Sequence, residues 1–289
     1  MKVGFIGCGN MATAIINGIT SNNAINGEDV YAFDIYAPAT EKLKKSLNIN
    51  VCNCEKDVVS SSDIIFLAVK PNIQASVLNT IDGEIGDKLL ISIAAGKTID
   101  FIESNLKCKA KIVRVMPNIN AKVSEAVSAY CFNELVNDDD KANVELLLNG
   151  IGKVLCLDES FFPLFGVIGG CGPAFAYMFI DAMARAGVKN GMKKSDALMI
   201  AAQTVLGSAK MILESDEHPW QLIDNVCSPG GTTIEGVTSL QADGFEAAVH
   251  NAVDKALDKD KNYKIKARFW VTPFTELFSK VFIKISLNY

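Results

Sequence analysis

The sequence predicts an α/β protein with two domains, in which a mostly parallel, doubly wound sheet is followed by an all-helical domain. At 289 residues the chain exceeds the usual size of one hydrophobic core. Up to about residue 157, short apolar runs alternate with helical segments, which is the pattern of βαβ units buried on both faces. Beyond that point the strand signal stops, and long segments rich in alanine, methionine and leucine follow.

The strands of the first domain are short runs rich in β-branched and aromatic residues. They read "KVGFI", "VYAFD", "IIFLAV", "LLISIA" and "KIVRV", and "AVSAYCF" and "KVLCL" extend the sheet at its edge. Helices between them are predicted over residues 10–21, 40–47, 73–79 and 138–149. In the second domain, helices are predicted over 174–186, 195–214, 232–241 and 245–259, with Ser195 as an N-cap.

The composition excludes several classes of function. A formal net charge of −5 leaves no broad basic surface for nucleic acid or an anionic membrane. No uninterrupted apolar run reaches about 18 residues, so we expect no membrane span. Met1 and Lys2 lead straight into a strand-like run, so we expect no signal peptide. The chain is therefore predicted to be cytoplasmic.

The cysteines and histidines form no metal-binding pattern. The eight cysteines are scattered without a CxxC pair, and the only histidines are His218 and His250. We therefore predict no metal site and reduced thiols. Cys8 and Cys171 lie in glycine-rich loops. Reactive thiols are one interpretation of this placement, and small residues that fit tight turns are the favoured one.

The predicted domain boundaries follow the changes in composition. The sheet domain covers residues 1–158, the helical domain 159–263, and an atypical extension 264–289. The extension has the phenylalanines and lysines of an amphipathic membrane or partner helix. An extension with little role is the favoured interpretation. Several faces of the helical domain are too apolar for a lone monomer, so we expect helices to pair across a homodimer.

A glycine-rich loop near the start of the chain predicts a dinucleotide-binding site and, with it, a Rossmann-type sheet. "FIGCGNMATAI" places G-x-G-x-x-A directly after the first strand, at the start of a helix. The first glycine permits a sharp turn, the second lets the backbone approach a pyrophosphate, and the alanine allows close packing of helix on strand. The helix N-terminus directs free N–H groups at phosphates. The loop residues assigned to the cofactor are Gly7, Cys8, Gly9, Asn10, Met11 and Ala12. The alternative is a glycine turn that binds nothing.

Two further segments are candidates for the cofactor site. Asp34 ends the second strand, where a carboxylate accepts hydrogen bonds from the adenosine ribose. The same carboxylate repels the 2′-phosphate of NADP, which favours NADH, although a solvated strand-end aspartate is an alternative. "AVKPN" ends a strand at the carboxyl edge of the sheet, where ligands bind in such folds. It contributes Ala68, Val69, Lys70 and Pro71.

Several motifs occur together in a characteristic order. They read "GFIGCGNMATAI", "AVKP", "SIAAG", "MPN", "GPAFAY", "AAQTVLGSAKM" and "DNVCSPGGTTIEGV". Over residues 1–259 the chain closely resembles the pyrroline-5-carboxylate reductase family. The resemblance implies a Rossmann domain, a helical dimerisation domain and an active site between them that two subunits share. It also implies reduction of L-Δ1-pyrroline-5-carboxylate by NADPH or NADH, the last step of proline synthesis. Rings of dimers are common in this family.

The resemblance implies roles for particular residues. The SPGGTT run opens a helix and presents backbone N–H groups to the substrate carboxylate. This carboxylate cradle comprises Ser228, Gly230, Gly231, Thr232 and Thr233. Thr233 is placed near the ring nitrogen, as a hydrogen-bond partner and proton relay. At the nicotinamide side the resemblance places Asn118 and Asn225, and the motif "SIAAG" adds Ala95 and Gly96 to the cofactor site.

The chain departs from the family pattern in two turns, and three alternatives stay open. Many members read M-x-N-T-P where this chain has "MPNIN", and S-G-S-G-P-A-Y where it has "GGCGPAF". We therefore expect fewer hydroxyl groups in the site. A β-hydroxyacid dehydrogenase would need a lysine on the helix "AFAYMFIDAMARAG", which has none. A reductase of another cyclic imino acid shares the need for a carboxylate cradle. A non-catalytic dinucleotide sensor would not need that cradle.

Overall fold

The computed structural model describes residues 1–260, which divide into two compact units. The first unit is Met1–Gly170, and the second begins at Cys171. The first unit is an α/β sheet and the second is helical, which confirms the predicted fold class. The predicted extension 264–289 lies outside the described residues.

An eight-stranded sheet forms the centre of the first unit. Its strands are β1 (Val3–Ile6), β2 (Val30–Phe33), β3 (Asn50–Val51), β4 (Ile64–Leu67), β5 (Leu89–Ser92), β6 (Lys111–Met116), β7 (Ala126–Phe132) and β8 (Gly152–Cys156). The strand order is β3-β2-β1-β4-β5-β6-β7-β8. Adjacent strands are parallel except for β6 and β7. The order reverses at β1, which lies between β2 and β4, and this is the switch point where doubly wound folds bind ligands.

Helices cover both faces of this sheet. They are α1 (Asn10–Ser21), α2 (Ala37–Leu47), α3 (Glu55–Ser61), α4 (Gln74–Ile81), α5 (Ile99–Ser104), α6 (Asp138–Asn149) and α7 (Phe162–Phe165). Successive strand residues face opposite sides, so β1 buries Val3 and Phe5 in one core and Ile6 in another. The ring of Phe5 stacks on that of Phe66 with centroids 4.7 Å apart. The sequence analysis did not predict β3, α3, α5 or α7.

The second unit contains five helices within the described residues. They are α8 (Gly172–Lys189), α9 (Lys194–Glu214), α10 (Pro219–Val226), α11 (Thr232–Ala242) and α12 (residues 245–260). The prediction of Ser195 as an N-cap is wrong. The helix begins at Lys194, so Ser195 falls in its first turn and donates a hydrogen bond to Asp196. The sequence analysis also did not predict α10.

Two helical stretches of the described chain are long and apolar enough to span a membrane, by length and composition alone. They are Glu159–Lys189 and Lys194–Glu214, with mean hydropathies of 1.5 and 1.3. The expectation of no membrane span was based on uninterrupted apolar runs alone, whereas these two helices are apolar on average over 18 residues. Much of this surface is exposed in the single chain, as at Met178 and Leu213, which are 77% and 72% exposed. Apolar surface of this extent indicates an interface with another copy or with a membrane.

Candidate active site

The glycine-rich loop forms a tight turn between β1 and α1. The Gly7 amide donates a 2.8 Å hydrogen bond to the Phe33 carbonyl, and Gly7 has φ +96°. A side chain there would lie 2.8 Å from the carbonyl oxygen of Ala68, so only glycine fits this position. Ala12, on the buried face of α1, packs in the hydrophobic core, as the motif predicts. The turn therefore depends on the strands on both sides of β1.

The N-terminus of α1 is open to a ligand. Gly9 occupies the N-cap position without a side-chain hydrogen bond to the first turn, and a Cβ placed there would meet no atom within 4 Å. The first backbone N–H groups of a helix have no partner within the helix. Asn10 is exposed and Met11 is half-buried beside it. This open cradle fits the pyrophosphate of a dinucleotide.

Asp34 is bound to the same loop. Its Oδ2 accepts a 2.6 Å hydrogen bond from the Cys8 amide, and its Oδ1 accepts a 2.8 Å bond from the Tyr36 amide. Each carboxylate oxygen has a second lone pair, so a ribose hydroxyl can still donate to it. Asp34 is half-buried between the loop and the start of α2. The structure thus brings Asp34 to the glycine-rich loop.

Cys8 is a buried part of the turn. Cys8 is 3% exposed, and burial, together with the nearby Asp34 carboxylate, raises the pKa of its thiol to about 12. The neutral thiol is a weak nucleophile. This favours the interpretation of Cys8 as a small residue that fits the turn. Cys171, by contrast, is exposed.

Two more loops meet the first at the carboxyl edge of the sheet. The chain leaves β4 through Ala68, whose amide donates a 2.9 Å hydrogen bond to the Ile6 carbonyl. It then turns, and the Ile73 amide donates a 2.9 Å hydrogen bond to the Lys70 carbonyl. Gly96, with φ +72°, turns the chain after β5. Their candidate residues are the half-buried Ala68, Val69 and Pro71 and the exposed Lys70, Ala95 and Gly96.

Gln74 and Ser92 join these two loops and were missed by sequence reasoning. The fully buried Gln74 donates a 2.6 Å hydrogen bond from Nε2 to Ser92 Oγ. Gln74 opens α4 two residues after the AVKPN loop ends, and Ser92 ends β5 three residues before Ala95. A glutamine among the apolar positions of a helix was the only signal in the sequence.

Asn118 follows β6 at the same edge of the sheet and is 5% exposed. Its Nδ2 donates a 3.0 Å hydrogen bond to the Gly169 carbonyl. Its Oδ1 accepts a 3.2 Å bond from the Asn120 amide and so begins the short helix Ile119–Val123. Both ends of this side chain therefore have partners within the first unit.

The SPGGTT run forms a turn at the start of α11 in the second unit. Gly230 has φ +68°, and the Gly231 amide donates a 3.0 Å bond to the Ser228 carbonyl. A Cβ on Gly231 would overlap Ser228 Oγ and lie 3.0 Å from the Ser228 carbonyl oxygen, so the turn itself requires this glycine. Thr232 and Thr233 form the exposed first turn of α11, which has no side-chain cap. Its free N–H groups suit a carboxylate.

Asn225 lies near the end of α10, in the second unit, whereas the other cofactor candidates lie in the first. Its Oδ1 accepts a 2.9 Å hydrogen bond from Gln221, and its Nδ2 donates a 3.1 Å bond to Glu217. The candidate residues thus form two groups, one on each unit. Within residues 1–260, no group of three or more His, Cys, Asp or Glu side chains is arranged to hold a metal ion.

The strand order and the open glycine turn define the class of protein, a Rossmann-type dinucleotide-binding protein. Residues 2–96 match the family described as NADP oxidoreductase, coenzyme F420-dependent, and residues 159–263 match the family described as pyrroline-5-carboxylate reductase dimerisation. The chain is 42% identical to the pyrroline-5-carboxylate reductase of Escherichia coli over 265 residues, which cover 90% of this chain and 97% of that one. The enzyme of Methanosarcina acetivorans is also 42% identical, with the same coverage.

Solved structures agree with these relatives. The Plasmodium falciparum pyrroline carboxylate reductase with NADP bound has a TM-score of 0.78 and 38% identity, covering 91% of this chain and 97% of that one. The Streptococcus pyogenes 1-pyrroline-5-carboxylate reductase has a TM-score of 0.77 and 34% identity, covering 91% and 98%. The chain belongs to the pyrroline-5-carboxylate reductase family. The resemblance drawn from the motifs is therefore confirmed, and with it a nicotinamide dinucleotide cofactor.

Proposed function

We propose that this chain catalyses the last step of proline synthesis, reducing the C=N bond of L-Δ1-pyrroline-5-carboxylate with NAD(P)H to give L-proline. Relatives at 42% identity over nine-tenths of the chain support this activity. The observation that carries it is the glycine turn from Ser228 to Gly231 at the start of α11. That turn leaves backbone amides free for the one carboxylate of this small substrate.

The carboxylate cradle consists of Ser228, Gly230, Gly231, Thr232 and Thr233. The amides of the first turn of α11 hold the carboxylate, with the positive end of the helix dipole behind them. The Thr233 hydroxyl bonds the ring nitrogen and relays a proton to it. Because the two glycines keep the turn tight, the ring lies against the main chain.

The reduced nicotinamide supplies the hydride that adds to the C=N carbon. A protonated imine is already positively charged, so holding the reacting atoms at short distance provides much of the rate. In the first unit, Gly7 to Ala12 bind the pyrophosphate, and Ala68 to Pro71 with Ala95 and Gly96 line the adjacent edge. Asn118, at the same edge of the first unit, is the candidate for the nicotinamide side, and Asn225 is the cofactor candidate on the second unit.

We propose that Asp34 makes NADH the preferred cofactor. Its Oδ2 lies 2.6 Å from the Cys8 amide in the turn proposed to hold the pyrophosphate, and its Oδ1 lies 2.8 Å from the Tyr36 amide just before α2. A 2′-phosphate beside them would add a close like-charge contact. The Plasmodium relative binds NADP, so the choice between cofactors differs within the family if Asp34 acts in this way.

We propose that the active form is a homodimer or a ring of dimers in the cytoplasm. The match to a dimerisation family supports a homo-oligomer. Within the described part of the second unit, the buried apolar core consists of Ala184, Ala197 and Ala201. A core of three alanines is too small to hold five helices together, so the exposed apolar faces pack against another subunit rather than a membrane.

The first experiment follows the loss of reduced-nicotinamide absorbance when the purified full chain meets pyrroline-5-carboxylate. NADH and NADPH are compared side by side, with a six-membered cyclic imino acid as the competing substrate. Substrate-dependent oxidation with the five-membered ring, faster with NADH, is the expected result. Oxidation only with the six-membered ring would show a different cyclic imine reductase. If the chain binds NADH or NADPH but oxidises neither cofactor with either substrate, the protein is a dinucleotide sensor.

A further inference from the structure

One segment of the first unit lies along a single face of β6. This segment, residues 159–170, is called the strap below. Side chains alternate along a strand, so Arg114, Met116 and Asn118 share one face of β6 and of the extended residues after it. Each of the three contacts the strap, and the contacts follow one another in order along both segments.

The first contact is a largely buried ion pair. Arg114 is 5% exposed, and its Nη1 lies 2.8 Å from Glu159 Oε1. The guanidinium carbon lies 4.3 Å from the centre of the Phe162 ring. Glu159 Oε1 also accepts a 3.0 Å hydrogen bond from the Ile99 amide. The start of the strap is therefore attached to β6 and to α5 at the same point.

The second and third contacts hold the end of the strap. The Met116 sulfur lies against Gly166, 3.4 Å from the position that a Cβ would take there. Asn118 Nδ2 then donates a 3.0 Å hydrogen bond to the Gly169 carbonyl, 51 residues away in the chain. Because the other end of the same amide accepts from the Asn120 amide, the side chain must both donate and accept. Among side chains of this size, asparagine does both in fixed directions.

We propose that Asn118 is a positioning residue for hydride transfer. This proposal rests on the proposed function. The side-chain amide of Asn118 fixes the turn that leaves β6 against the strap, at the edge of the sheet where the cofactor loops end. Met116 and Pro117 are thereby held in place next to the loop after β5, the strand that pairs with β6. Because the Asn118 side chain is hydrogen-bonded to Gly169 and Asn120, it affects the reaction through the position of the turn and not by contact with the reacting atoms.

Asn118→Asp is the test, because aspartate keeps the acceptor and loses the donor. It also places a carboxylate beside the Gly169 carbonyl. Asn133→Asp is the matched control. Asn133 is 8% exposed and likewise uses both ends of its amide, accepting from the Ile112 amide at 3.1 Å and donating to the Ala110 carbonyl and to Glu103 Oε1, each at 2.9 Å. It lies at the amino end of β6, away from the cofactor edge.

Both variants are expected to melt at lower temperatures than the wild type. Only Asn118→Asp is expected to lower kcat, by about tenfold or more, since a small misplacement of reacting atoms slows transfer strongly. With deuterium-labelled reduced cofactor, its isotope effect on kcat should rise because transfer becomes more rate-limiting. Its dissociation constant for the cofactor should change less than its kcat. Hydrogen–deuterium exchange of peptides within 159–170 should rise in Asn118→Asp and stay unchanged in Asn133→Asp.

Each outcome decides a separate point. If kcat falls in both variants in proportion to the fall in their melting temperatures, Asn118 has only a structural role. An Asn118→Asp enzyme with wild-type kcat, isotope effect and exchange would overturn the proposal. If the wild type does not turn over pyrroline-5-carboxylate, the proposed function is wrong. The exchange measurement then still shows whether Asn118 holds the strap, and unchanged exchange overturns that part too.

Discussion

The backbone amide of Cys8 donates a 2.6 Å hydrogen bond to Oδ2 of Asp34. One carboxylate thereby holds the turn proposed to bind the pyrophosphate, and it lies at the strand end where we propose that the adenosine ribose binds. Its second oxygen is bonded to the Tyr36 amide, which fixes the direction of the carboxylate. The shape of this glycine-rich turn therefore depends on Asp34, the residue that we propose selects the cofactor.

Asp34→Ser should shift the cofactor preference towards NADPH. Removing the carboxylate removes the repulsion of a 2′-phosphate, and we expect the ratio of kcat/KM for NADH to that for NADPH to fall by roughly tenfold or more. Steady-state kinetics with both cofactors measure the ratio. Asp63→Ser is the control, since Asp63 also accepts a backbone hydrogen bond, from Lys2 at 2.8 Å, but at the opposite edge of the sheet. An unchanged ratio in Asp34→Ser would dismiss the role.

Gly231→Ala should weaken substrate binding. The new Cβ lies 3.0 Å from the Ser228 carbonyl oxygen, so the turn must open and its amides move apart. We expect KM for pyrroline-5-carboxylate to rise by about tenfold or more. Gly236→Ala, on the same helix but with no atom within 4 Å of the added Cβ, should leave KM unchanged. Equal KM values in the two variants would contradict the carboxylate cradle.

Thr233→Ala should lower turnover more than it weakens cofactor binding. Losing a hydrogen bond to the reacting C=N group is expected to reduce kcat by about a hundredfold. Thr238→Ala is the control on the same helix, because Thr238 Oγ1 donates to the Ile234 and Glu235 carbonyls. Wild-type kcat in Thr233→Ala would show that the assigned role is wrong.

Glu159→Gln should destabilise the first unit. It leaves the guanidinium of Arg114, whose side chain is 6% exposed, without its anionic partner. Because Glu159 is partly exposed, we expect a loss of roughly 1–3 kcal/mol. Urea unfolding at fixed protein concentration measures it. Glu84→Gln breaks an ion pair with Lys56 in which both side chains are about half exposed, and should cost less than about 1 kcal/mol. Equal losses of unfolding free energy in the two variants would mean that the buried Arg114 pair stabilises the fold no more than an exposed ion pair does.

Cys8 should resist alkylation in the native protein at pH 8.5. Its thiol stays protonated in the fold until about pH 12, whereas the unfolded thiol ionises near pH 9. The folded state then binds more protons than the unfolded state between these values, so its stability falls as pH rises through this window. Peptide mapping after iodoacetamide treatment compares Cys8 with the exposed Cys156. Equal rates at the two cysteines would contradict the buried, neutral thiol.

Some elements were predictable because their signals are local. The ranges 10–21 and 138–149 were predicted as helices and appear as α1 and α6. The two-residue strand β3 was not predicted, since Asn50 and Val51 are recognisable as a strand only through their pairing with β2. The start of α9 was misplaced because Ser195 suggested a cap that the fold does not use.

The sequence by itself determined the fold class, the glycine turn at Gly7 to Ala12, the glycine run at Ser228 to Thr233 and the family. Periodicity and glycine placement are local properties, and the motifs are continuous in the chain. Only the tertiary structure decided three hydrogen bonds between residues far apart in the chain. They join Cys8 to Asp34, Gln74 to Ser92, and Asn118 to Gly169. These partners lie 26, 18 and 51 residues apart, and only the packing of the strands at one edge of the sheet brings them within hydrogen-bond distance.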